Sequence, residues 1–79
     1  MPNGTISTTV SLTRKEVEII KLLAAEKTTK EIASILQCAI RTVEKHKSNL
    51  CHKTKSFTVI GIVLFGIESG IVKITIMER

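Results

Sequence analysis

The chain has 79 residues and 43% hydrophobic content, enough for one small core and no second domain. Trp, Tyr and Asp are absent and only two Phe occur, so the core must be aliphatic; the two cysteines in no disulfide-like framework point to reduced thiols in a cytoplasmic setting. Twelve Lys and Arg against seven acids leave a net charge of +5, which favours an anionic partner, nucleic acid or an acidic membrane surface.

In chain order, Met1 to Ser11 are small and polar and read as a flexible arm with neither the basic nor the apolar region of a signal peptide. Thr13-Arg-Lys-Glu16 then has the form of a capping box, and Leu12 and Val17 flank it as a hydrophobic staple. Val17, Ile19, Ile20, Leu23 and Ala24 recur at helical intervals, which predicts a helix over roughly Arg14 to Ala25. A second box, Thr28-Thr-Lys-Glu31, opens a short helix over roughly Thr29 to Leu36.

The third helix is predicted over roughly Ile40 to Lys53. Ile40, Val43, Leu50, Cys51 and Thr54 fall on an inner stripe, and Arg41, Lys45, Ser48, Asn49 and His52 lie opposite. Lys47 falls inside the stripe, so its stem must cross the core edge for its ammonium to reach water. Ala39 offers no side-chain acceptor to the start of this helix, a loss of about 1 kcal/mol.

A fourth helix, roughly Val59 to Ser69, is capped by Thr58, stopped by Gly70 and apolar almost all round. The apolar run Phe57 to Ile67 is about half of the ~20 residues that span a bilayer, which excludes a single membrane-crossing helix there. The tail from Ile71 has strand propensity, and an extended tail and a short strand both fit it.

Three capped helices in quick succession, the third basic on its outer face, describe a helix-turn-helix. Leu12-Thr-Arg-Lys-Glu16, Lys30-Glu-Ile-Ala33, Arg41-Thr-Val-Glu-Lys-His46, Ser48-Asn-Leu50 and Glu68-Ser-Gly70-Ile71 together resemble the LuxR/GerE-type DNA-binding domain over residues 11–72. The resemblance implies an all-α four-helix bundle over residues 12–72, between an arm (1–11) and a tail (73–79). It implies a transcriptional regulator that binds double-stranded DNA, with the helix over 40–53 in the major groove.

By position, the resemblance puts Glu44, Lys45 and Ser48 toward bases and Thr42, His46, Asn49 and Lys53 toward the backbone. Arg41 and Lys47 add to the basic run, and Thr28, Thr29 and Lys30 would meet phosphate at a helix N-terminus. Family members pair through the fourth helix, which assigns a homodimer interface to Val59, Ile62, Val63, Phe65 and Gly66. The sequence fits a free-standing small regulator and the output portion of a longer one equally, and in the second case a sensory or receiver domain outside this chain is a further partner.

Each assignment has a rival. Cys38, Cys51, His46 and His52 lack metal-ligand spacing and point to different sides of one helix, so the thiols read as small core residues and no metal or cofactor is expected. Glu44 could pair with Arg41 or Lys47 instead of reading a base. No phosphate loop and no nucleophile beside a base is present, so an enzyme is not expected. The alternative function is a protein-interaction module that uses the apolar fourth helix and a degenerate helix-turn-helix.

Overall fold

The computed structural model describes residues 11–73, so the arm over 1–10 and the tail beyond Lys73 lie outside it. Four helices follow one another: α1 (Arg14–Ala24), α2 (Thr29–Leu36), α3 (Ile40–Thr54) and α4 (Val59–Glu68). There is no strand among the described residues, and the all-α helix-turn-helix bundle is the observed architecture.

Local chemistry sets the helix starts. Thr13 and Thr28 each accept the amide of the glutamate three residues on, at 3.1 Å, and each glutamate returns a bond to the threonine amide at 2.9 and 2.8 Å. Thr58 accepts the Gly61 amide at 3.1 Å, whereas Ala39 caps α3 with backbone alone.

The helix ends share one device. Glu26, Gln37, Lys55 and Gly70 are left-handed, with φ of 63°, 56°, 55° and 83°. After each of them the chain returns an amide to a carbonyl five residues back: Lys27 to Leu22, Cys38 to Ala33, Ser56 to Cys51, and Ile71 to Gly66. These are Schellman closures, which satisfy last-turn carbonyls, and the first three turn the chain sharply enough to dock the next helix.

The helical period then collects one core. Ile19, Ile20 and Leu23 of α1 meet Ile32 and Ala33 of α2, Val43 and Leu50 of α3, and Ile62 of α4. Ile19, Ile20, Ile32, Val43, Leu50 and Ile62 are fully enclosed, each contributing roughly 1.5–3 kcal/mol of transfer free energy. Cys38 and Cys51 are half-buried against this cluster as free thiols.

Ile40, expected inside, is 46% exposed because it begins α3 where the chain leaves α2. Thr54, placed on the inner stripe, is half-buried; it donates its hydroxyl to the Leu50 carbonyl at 2.7 Å and lies 2.8 Å from the Ser56 hydroxyl.

Candidate nucleic-acid interface

The geometry is built by α2 and α3, whose connection is three residues long, Gln37 to Ala39. Val43 and Leu50, two turns apart, anchor α3 to the core and turn its opposite side outward. Arg41, Thr42, Glu44, Lys45, Ser48 and Asn49 are all exposed there, and His46 is half-buried at the edge. Arg41, Thr42, Lys45, His46 and Asn49 line one cleft along this face. Glu44 makes no ion pair among the described residues, so neither Arg41 nor Lys47 occupies it.

A second cationic locus forms where α3 passes the start of α2. Lys47 is half-buried, and its ammonium donates to the Thr29 hydroxyl at 3.1 Å. Its stem crosses the core edge as the stripe required. The capping box occupies the Thr28 and Glu31 amides, and the backbone bond from Thr28 also holds the Glu31 carboxyl below its ordinary value of 4.5. The Thr29 and Lys30 amides keep the outward orientation of first-turn donors. The positive end of α2 and the Lys47 ammonium are thus brought to one place, and Lys30 is exposed in the same first turn.

Lys53 departs from the expected backbone-contact set. Its ammonium bonds Glu16 Oε1 at 2.8 Å and the Ser11 carbonyl at 3.1 Å, tying the end of α3 to the start of α1. The Glu16 side chain is 4% exposed. Burial pushes its carboxyl up, but the bonds from Lys53 and the Thr13 amide outweigh burial and hold it below 4.5. Sequence reading gave Glu16 only a capping role; no local signal pairs it with a lysine 37 residues on.

The expected dimer residues are divided by the fold. Ile62 and Gly66 are buried in the chain's own core and are not available to a second chain. A Cβ on Gly66 would lie 2.6 Å from Ile20 Cγ2 and 3.1 Å from Val72 Cγ2, so α4 approaches α1 through this glycine. Val63 and Phe65 are half-buried, and Val59, Ile60 and Leu64 are exposed at 37%, 71% and 54%. Ile60 and Leu64, which the sequence reading passed over, form the outer ridge of α4.

Among the described residues no group of three His, Cys, Asp or Glu could hold a metal, and no single helix is long and apolar enough to cross a membrane. A short α2, a three-residue turn and a basic, outward-facing α3 define a helix-turn-helix unit of the DNA-binding type.

Residues 10–56 match the family described as "Bacterial regulatory proteins, luxR family", and the chain belongs to that family. It is similar to the spore germination protein GerE of Bacillus subtilis (strain 168), at 50% identity over 42 residues, 53% of this chain and 57% of GerE. It is also similar to the uncharacterized response regulatory protein YgeK of Escherichia coli (strain K12), at 38% identity over 60 residues, 76% of this chain and 41% of YgeK. The probable transcriptional regulator ycf29 of Pyropia yezoensis is 34% identical over 98% of this chain and 35% of its own length. The chain thus spans 35–57% of the length of these relatives.

Among solved structures, the chain resembles VqmA of Vibrio cholerae, described as a LuxR-type receptor that shifts conformation in the absence of target DNA. The TM-score is 0.75 at 27% identity, over 80% of this chain and 28% of that one. A VqmA–ligand–DNA complex gives 0.74 at 29% identity, over 82% of this chain and 29% of that one. The family is one of bacterial regulatory proteins, and ycf29 and YgeK are named as regulators of transcription and of response.

Proposed function

We propose that this chain is the DNA-binding output unit of a cytoplasmic transcription regulator. In this reading residues 12–72 form the unit and α3 lies in the major groove. Lys45, Glu44 and Ser48 face base edges, where Lys45 can donate to guanine and Glu44 can accept from cytosine. Arg41, Thr42, His46 and Asn49 flank them toward the backbone. Thr28, Thr29, Lys30 and Lys47 hold phosphate on the other side of the turn. Val59, Ile60, Val63 and Leu64 pair two copies on a two-half site, and an input domain of the longer regulator controls the unit.

The observation that carries this reading is the Lys47–Thr29 hydrogen bond. It gathers an ammonium, a hydroxyl and helix N-terminal amides beside a recognition helix whose outer face is basic, with spacing set before any ligand arrives.

The test is duplex binding across a salt series. Lys47→Ala should lower the slope of log affinity against log salt by about one. Lys45→Ala should cost about 1–3 kcal/mol and relax preference at one base pair. Unchanged binding in the double variant would sink the assignment. No duplex binding even at low salt would transfer the function to protein interaction through α4.

A further inference from the structure

Ile40 is the only large apolar side chain of α3 left in water. It is 46% exposed, whereas Val43 and Leu50, the other aliphatic residues of the helix, are fully buried. Its place in the helix sets where it points. A helical Cα–Cβ bond tilts toward the helix N-terminus, and Ile40 is the first residue of α3, so no preceding turn lies beneath its side chain.

Ile40, Glu44 and Ser48 are spaced by four residues, which sets them in one row on the surface of α3, and all three are exposed. At 1.5 Å per residue the row is about 12 Å long, roughly the rise of three to four base pairs. Glu44 and Ser48 face bases in the proposed complex. Ile40 heads their row at the helix end whose residues reach base edges in helix-turn-helix proteins.

Chemistry selects what Ile40 meets there. Its side chain neither donates nor accepts a hydrogen bond, so against guanine, adenine or cytosine it would cover polar edge atoms and leave them unpaired. Thymine alone presents an apolar group in the major groove, its C5-methyl. We infer that Ile40 is a specificity-determining residue that packs on the C5-methyl of one thymine in each half-site, beyond the base pairs met by Glu44 and Ser48; the inference rests on the DNA-binding reading.

The experiment uses the full chain and the duplex that it selects from a random pool. Each thymine of one half-site is replaced in turn by deoxyuridine, which removes the methyl and keeps every hydrogen-bonding atom. One replacement should weaken wild type about fourfold, the free energy of withdrawing one methyl group from water, and should leave the affinity of Ile40→Ala unchanged. Selection repeated with Ile40→Ala, once circular dichroism shows wild-type helical content, should lose the thymine preference at that base pair and keep the rest of the sequence. Ile40→Val, which retains a branched apolar side chain, should retain the preference. No loss at any thymine, losses equal in wild type and Ile40→Ala, or a thymine preference that survives Ile40→Ala would overturn the inference, the last two by assigning the methyl to duplex stiffness or to another side chain. A wild type that recovers no duplex refutes the DNA-binding reading itself, before any base is replaced, and the inference falls with it.

Discussion

Lys53→Met separates a structural lysine from a DNA-contacting one. In the native fold the Lys53 ammonium reaches Glu16 at 2.8 Å, and the Glu16 side chain is 4% exposed while that of Lys53 is 36% exposed. Removing the cation leaves an enclosed carboxylate with the Thr13 amide at 2.9 Å as its remaining donor to Oε1. A fully buried pair broken in this way loses about 3–5 kcal/mol; with the lysine a third in water, about 2 kcal/mol is expected. Glu16→Gln should cost less, about 1 kcal/mol, because it keeps an acceptor oxygen and the ammonium it abandons can turn to solvent.

The pH dependence carries a definite sign. The folded Glu16 carboxyl titrates below 4.5, so the ionised pair contributes stability above that value and loses it as pH falls through the folded pKa. In Lys53→Met the favourable partner is gone and burial remains, so protonation relieves the variant, and the gap from wild type should narrow below about pH 4.5. Urea denaturation of wild type and both variants at pH 7 and pH 4 reads the whole pattern. Equal stability at pH 7, or a gap that does not change with pH, would refute the account. Duplex binding by Lys53→Met should keep the wild-type salt slope, whereas a backbone-contacting lysine would take about one unit of slope with it.

Three further outcomes follow from the packing. Leu64→Glu charges the exposed ridge of α4, and sedimentation should show the proposed dimer dissociating with no change in helical content; a wild type that sediments as a monomer at high concentration removes that dimer outright. Gly66→Ala must drive a methyl against Ile20 and Val72, both branched next to the backbone, and should lower stability by about 1–3 kcal/mol of overpacking despite about 1 kcal/mol of better helix propensity. Thermal unfolding with a raised midpoint would contradict that placement. Ala39→Ser supplies the missing acceptor at a position with extended φ of −74° and ψ of 152°, and should raise stability by about 1 kcal/mol in denaturant titration.

Short-range chemistry was readable and long-range pairing was not. Both capping boxes, the Thr58 cap, the bare start at Ala39 and the stop at Gly70 are set by residues within four positions of each other, so spacing alone located the helices to within a residue. The strong amphipathicity of α3 also exposed its basic face. α4 gave no such direction: apolar on every side, it has no period from which to tell Ile62, which faces the core, from Ile60, which faces water. Lys53 looked like any other lysine of the basic run because its partner lies on another helix. The same limit hid the burial of Glu16, whose role as a cap was visible and whose role as a counter-ion was not.

The bond between Lys47 and Thr29 bears on the thermodynamics of recognition as well as on its geometry. A lysine free in solvent gives up about 1.5–2 kcal/mol of side-chain entropy when it is ordered. Lys47 is ordered when α3 docks on α2, so much of that cost falls on folding, and its proposed contact with an anion is correspondingly cheaper in entropy than the one proposed for a freely rotating lysine such as Lys45. A calorimetric comparison of the two alanine variants would therefore register unequal entropies of association even where the phosphate and base contacts are equal in number.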